Sequence, residues 1–172
     1  WDLLDVLRLA RALRPEGLEW PLREDGHASF RLEDLAAANG ARDGMAHEAL
    51  SDVRALIALA RKLKDVQPRF WDYVLKLRDK KTVRGLCDLV SHTPLLHVSG
   101  RFPAEQRHAA LVAPIAVHPL IGTRVIAFDL GTDPRVFTEL DDAALKARLY
   151  TPRAQLPEGV QRLPLKEIHT NR

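Results

Sequence analysis

A histidine and an aspartate five residues apart lead into a long apolar-periodic stretch, in the run Ala46-His47-Glu48-Ala49-Leu50-Ser51-Asp52. An imidazole can take a proton from water and a carboxylate can hold a divalent ion, so the pair suits metal-dependent phosphodiester hydrolysis. At about 100° per residue, the five-residue step puts the two side chains roughly 140° apart around a regular helix. They share a site only when His47 sits at a frayed helix entry and Asp52 projects from the helix body. Gly44 relaxes the backbone at that entry. The same spacing also fits a capping histidine and a solvated aspartate, so the pair alone does not decide the chemistry.

A nuclease also needs cations to hold its substrate, and here the charge is unevenly spread. The net charge is +3. Residues 1–60 carry 7 Lys/Arg against 11 Asp/Glu, a net of −4, whereas residues 61–84 carry 9 against 3, a net of +6. The remainder is +1. A basic stripe beside an acidic candidate site fits a polyanion-binding enzyme, and it fits equally a solvated helix face with snorkelling lysines.

At 172 residues the chain can bury a real core in one medium or two small domains. Its 46% hydrophobic and 28% charged residues are ordinary for a water-soluble protein. No apolar run reaches membrane-spanning length and no signal-peptide pattern opens the chain. The single Cys87 excludes an internal disulfide, a zinc ribbon and a CxxC redox motif, and it fits a reducing cytoplasm. The chain opens at Trp1 with its one methionine at Met45, from which we expect a piece that starts mid-sequence, with part of a catalytic site upstream.

The elements that must position these residues fall into two kinds. The first part reads as helical. Leu3, Leu4, Leu7, Leu9 and Leu13 mark a stripe over residues 2–14, ended by Pro15-Glu16-Gly17. Ser29 is the expected N-cap of a helix from Phe30 that stops at Asn39-Gly40. Leu50, Val53, Leu56, Ile57, Ala60 and Leu63 give a 3.6-residue period up to Pro68. Phe70, Tyr73, Val74 and Leu77 then share one side of a helix running to about Lys80, and a short helix follows near Thr82. The connection between the two kinds of structure falls within residues 80–94. After Pro94, runs such as 95–98, 111–117 and 124–130 are short and rich in β-branched or large apolar residues, with glycines and prolines between them. They predict a small β-barrel or strongly bent sheet, interrupted by a helix from Asp141 to Tyr150 and closed by a strand near Leu163–Ile168.

Several stretches, in order along the chain, resemble bacterial exonuclease I, a 3′–5′ exonuclease specific for single-stranded DNA. They are Trp1-Asp2-Leu3-Leu4-Asp5-Val6, Ala12-Leu13-Arg14-Pro15-Glu16-Gly17, Ser29-Phe30-Arg31-Leu32-Glu33, Gln67-Pro68-Arg69 with Asp72-Tyr73, His97-Val98-Ser99-Gly100, Val112-Ala113-Pro114 and Arg148-Leu149-Tyr150-Thr151. The resemblance implies an α+β chain: the helical C-terminal part of a ribonuclease-H-like exonuclease domain (1–66), a basic helical connection (67–94) and an SH3-like β domain (95–172). The family's His-x-Ala-x-x-Asp signature matches His47, Ala49 and Asp52. It implies His47 as the general base and Asp52 as a ligand of a catalytic pair of Mg²⁺ ions. The expected product is a 5′-mononucleotide.

The same resemblance implies a substrate contact at Arg31. Further contacts are expected at Arg8 and Arg14, six apart near the helix that lines the cleft, and at Tyr73 and Lys80 in the basic stripe leading into the β domain. For Tyr73, packing with Phe70 and Leu77 is the competing reading. Trp20 and Trp71 read as core, and His92, His97, His108 and His118 show no metal-ligand spacing. The family's Asp-x-Glu pair and its second-signature aspartate have no counterpart here. The resemblance places them upstream of Trp1, and a lone carboxylate holds Mg²⁺ weakly. The 172-residue chain by itself is therefore expected to be inactive. Expected partners are single-stranded DNA and the acidic tail of single-strand-binding protein, with no membrane. The alternative is a non-catalytic module that binds single-stranded nucleic acid or a protein.

Overall fold

The computed structural model describes residues 1–41 and 49–171. His47 and Gly44 lie outside the described residues. Two units partition the chain: Trp1–Leu86 together with Leu96–Ala110, and Cys87–Leu95 together with Leu111–Asn171.

In the first unit, α1 (Leu3–Leu13) starts where extended Asp2 accepts a hydrogen bond from the Leu4 N–H at 2.9 Å. It buries Val6, Leu7 and Ala10. The chain turns at Gly17 with φ +86°, and the α carbon there lies so close to Val66 that an added Cβ would sit 2.7 Å from the valine Cβ. α2 (Leu32–Ala38) has Arg31 at its N-cap position, with no side-chain cap, rather than Ser29 as expected. The buried Ser29 hydroxyl is committed earlier: it pairs with the Asp34 carboxylate and accepts from the Arg31 N–H at 3.3 Å. At the other end Asn39 caps the helix and Gly40 follows with φ +63°, as the sequence predicts. The Asn39 side chain also accepts from Glu19 N–H and donates to the Glu19 and Leu35 carbonyls, satisfying both ends of a buried amide.

α3 (Ala49–Val66) departs most from expectation. Its buried residues are Ser51, Ala55, Leu59 and Leu63, a four-residue ladder, while Leu50, Val53, Leu56 and Ile57 are exposed. The helix carries two apolar stripes, and of the residues in the predicted one Leu63 is buried while Leu50, Val53, Leu56 and Ile57 face outward. α4 (Pro68–Lys76) begins on a proline, whose missing N–H costs nothing at a helix start. It buries Val74 and packs Phe70 and Trp71 on the core, with Trp1 meeting Trp71 edge-on at 5.9 Å. Tyr73, grouped with Phe70 and Val74 in the sequence, is instead 50% exposed, because its place on the helix turns away from the Val74 side. α5 (Lys80–Leu86) buries no residue. The core of the unit gathers Leu7, Ala10, Leu35, Ala36, Leu59, Leu63 and Val74, with Trp20 packed against it.

The remaining elements are β1 (Leu95–Val98), a 3₁₀ turn (Ala104–Gln106), β2 (Ala109–Val117), β3 (Arg124–Asp129), α6 (Arg135–Thr138), α7 (Asp142–Tyr150), a second 3₁₀ turn (Arg153–Gln155) and β4 (Leu165–His169). The four strands form one sheet in the order β1-β2-β3-β4. β2 and β3 are antiparallel, from Val112 opposite Asp129 to Val117 opposite Val125, with the register shifting between Pro114 and Ala116. Pro114 has no N–H to give the ladder, and a bulge at that point bends the strand. β4 pairs antiparallel with β3, from Arg124 opposite His169 to Phe128 opposite Leu165. Val112, Val125, Ala127 and Ile168 are buried in this unit, as is Phe137 of α6, a helix the sequence reading did not foresee. α7 is capped by Asp141, whose carboxylate accepts from Ala144 N–H at 2.8 Å. Among the described residues, no helix is long and apolar enough to cross a membrane.

Candidate nucleic-acid interface

Asp52 lies in the first turn of α3, partly buried, one residue after buried Ser51. That placement is set by the Ala55–Leu59–Leu63 ladder, which turns the helix so that Ser51 faces inward. A divalent ion held by a protein needs several oxygen ligands. Among the described residues, no three His, Cys, Asp or Glu side chains gather where they could hold one. Asp52 is one carboxylate and by itself seats no metal.

The cations have distinct environments. Arg8, on α1, donates from Nη1 to Asp5 Oδ1 at 2.8 Å, and its guanidinium lies 5.7 Å from the centre of the Phe30 ring. Its side chain is only 19% exposed, and Gly100 approaches so closely that a Cβ there would meet the guanidinium at 2.9 Å. Asp5 and Phe30 thus engage Arg8 within the fold. The Asp5–Arg8 spacing of three on one helix is the signal that could have shown this commitment in advance. Arg31, by contrast, is 76% exposed and makes only a long pair with Glu33 at 3.6 Å. Arg14 is exposed beyond the end of α1, where Nη1 donates to the Leu13 carbonyl at 2.6 Å. Tyr73 is half-exposed on α4, and Lys80 is exposed at the start of α5.

The structure brings Arg8 over the ring of Phe30, the residue that precedes Arg31 in the chain. Sequence reading missed that Phe30 also meets the His108 ring edge-on at 5.5 Å. It missed as well that His27 Nε2 lies 3.3 Å from Glu105 Oε1. Both contacts tie the segment around α2's start to the turn before β2. Two further histidines bind backbone: His92 Nδ1 lies 2.7 Å from the Pro114 carbonyl, and His118 Nδ1 accepts from the Leu120 and Ile121 N–H groups.

Arg14, Arg31, Tyr73 and Lys80 each face solvent, and cations with a ring face are the side chains that suit a polyanion carrying stackable bases. A family model described as the Exonuclease I SH3-like domain matches residues 78–172. The chain belongs to this family. The similarity extends beyond the β region: Exodeoxyribonuclease I of Escherichia coli (strain K12) is 45% identical over all of this chain, which covers 36% of that protein. A crystal structure of E. coli exonuclease I in complex with a dT13 oligonucleotide superposes with a TM-score of 0.94 at 45% identity. It matches 99% of this chain and 37% of its own. An ExoI/SSB-Ct complex gives a TM-score of 0.88 at 44% identity, over 99% of this chain and 36% of its own. The chain thus spans just over a third of the length of these exonuclease I relatives.

Proposed function

We propose that this chain is part of a 3′–5′ exodeoxyribonuclease acting on single-stranded DNA and releasing 5′-mononucleotides. The observation that carries the reading is the 45% identity and 0.94 TM-score, along essentially the whole chain, with an exonuclease I solved on an oligonucleotide. In this reading 1–66 is the end of the nuclease domain, 67–94 a basic helical connection and 95–172 an SH3-like domain. His47 takes the proton of the attacking water. Asp52 offers one carboxylate towards the Mg²⁺ ions of the intact protein, and the 172-residue chain alone is inactive. Arg31, Arg8, Arg14 and Lys80 present cations to the strand and Tyr73 a ring face, with Arg8 also held by Asp5 and lying over the Phe30 ring. The similarity to an ExoI/SSB-Ct complex supports the acidic tail of single-strand-binding protein as a partner. The proposed location is the cytoplasm.

The test follows mononucleotide release from 3′-ended single-stranded DNA with Mg²⁺, in the intact protein and its His47→Ala variant. Activity lost with DNA binding retained is the expected result. Equal activity in both, or none in either, sinks the assignment and favours a binding module without chemistry.

A further inference from the structure

The turn that leads into β2 holds two consecutive non-glycine residues in the left-handed region, Arg107 at φ 53° and His108 at φ 57°. Side chains other than glycine rarely adopt this conformation, and where they persist in it the surroundings hold them there. Here the holding contacts are visible. The Arg107 N–H donates to the Ala104 carbonyl at 2.8 Å and the His108 N–H to the Pro103 carbonyl at 3.1 Å. His108 Nδ1 lies 2.9 Å from the Phe102 carbonyl, and its ring abuts Phe30 at 5.5 Å. The His27–Glu105 pair at 3.3 Å is a second tie to the same segment.

These ties bring together two segments that each carry an arginine next to the ring contact, since Arg31 follows Phe30 and Arg107 precedes His108. Both are exposed. Arg107 forms no ion pair among the described residues. Arg31 has only its long solvent-facing pair with Glu33, an interaction that contributes little and can be exchanged for a phosphate. A planar guanidinium offers phosphate two parallel N–H donors, which a lysine does not.

We propose that Arg107 contacts the phosphate backbone of single-stranded DNA and works with Arg31 as a two-arginine clamp across the Phe30–His108 contact. This rests on the nuclease reading above. The strained turn is then the device that sets a cation at this place, where a glycine would be at ease but carry no charge.

The experiment measures binding of a fluorescent oligo-dT to the intact protein by anisotropy over a series of salt concentrations. Arg107→Gly removes the cation and relieves the backbone, so its Tm is expected to hold or rise. Its affinity at low salt is expected to fall several-fold, and its log K against log salt slope to flatten by about 0.7, the share of one phosphate on a single strand. Arg107→Lys should recover the slope but not all of the affinity. Adding Arg31→Gln to Arg107→Gly should cost less than Arg31→Gln costs alone. If the glycine variant does not fold, Arg107→Asn, also tolerant of positive φ, serves the same comparison. An unchanged affinity and slope in a folded Arg107→Gly protein overturns the clamp while leaving the nuclease reading in place. Failure of the unaltered protein to bind oligo-dT overturns that reading and the clamp together.

Discussion

α1 and α3 are both amphipathic, and both contribute to one core, yet their sequences relate to that core differently. In α1 the residues buried, Val6, Leu7 and Ala10, lie within or beside the stripe that the leucines mark. In α3 the stripe of large side chains, Leu50, Val53, Leu56 and Ile57, faces outward, while Ser51, Ala55 and Leu59 face in. The small residues let α3 come close to its neighbours: Leu59 and Leu63 are fully buried, with Ala55 3% exposed beside them. A helix with two apolar stripes has two surfaces to cover, and among the described residues one of them is covered. The exonuclease I relatives are far longer than this chain, which spans 36% of the E. coli protein.

The comparison is sharpest between two residues two positions apart. Leu59→Ala removes a fully buried side chain and leaves a cavity, and should cost about 2–5 kcal/mol of unfolding free energy. Ile57→Ala, at 46% exposed, should cost no more than about 0.5 kcal/mol in the 172-residue chain. Denaturant unfolding of both variants gives the two numbers. Equal losses would mean that α3 is rotated from the orientation described. In the intact protein, a loss at Ile57 rising towards that at Leu59 would show that the outer stripe is covered there.

A smaller effect probes the place where the two helices are joined in space. Gly17 follows α1 and lies against Val66 at the end of α3. Gly17→Ala puts a Cβ into a position of φ +86° and drives it to 2.7 Å from a β-branched carbon that cannot swing away. The left-handed backbone alone costs roughly 1–2 kcal/mol, and the crowding at Val66 adds to it. Val66→Ala in the same chain should recover part of the loss, leaving the backbone cost. A Gly17→Ala protein as stable as the original would break the link between α1 and α3.

What the sequence discloses, and what it withholds, follows the same division. The strands are legible because runs such as Arg124–Asp129 are short, β-branched and bounded by glycine, and α7 is legible through Asp141 at its cap. The choice between two stripes on α3 is not legible, because periodicity measures clustering of apolar residues and says nothing about which cluster meets a partner. Ser29 misleads for a related reason. It has the right chemistry for a cap, but Asp34 and the Arg31 N–H take its hydroxyl first. At the candidate site, the residue types and their helices follow from the motifs, with Asp52 on α3 and Arg8 on α1. The pairing of Phe30 with His108 is invisible in one dimension, since the two rings come from distant segments with no shared pattern. Only the fold puts Arg31 and Arg107 in one neighbourhood.

α5 supplies the weakest and most local contrast with α3, because it buries nothing and depends on its cap. Asp79 Oδ2 accepts from both the Thr82 hydroxyl and the Thr82 N–H, each at 2.8 Å. Those bonds, the hydroxyl's first, hold the Asp79 carboxyl below its ordinary 3.8 by favouring the ionised form. A carboxyl depressed in the folded state contributes stability above its unfolded pKa, and loses it as pH falls from about 3.8 through the lower folded value. Acid should therefore speed amide exchange in α5 before it reaches the Leu59 turn of α3, which is held by burial rather than by an exposed carboxylate. Thr82→Ala should move the Asp79 midpoint, followed by carboxyl NMR, up towards 3.8 and bring the loosening of α5 to higher pH. If the midpoint stays where it was, the Thr82 hydroxyl is not what holds the carboxylate, and the start of α5 owes its order to something other than this cap.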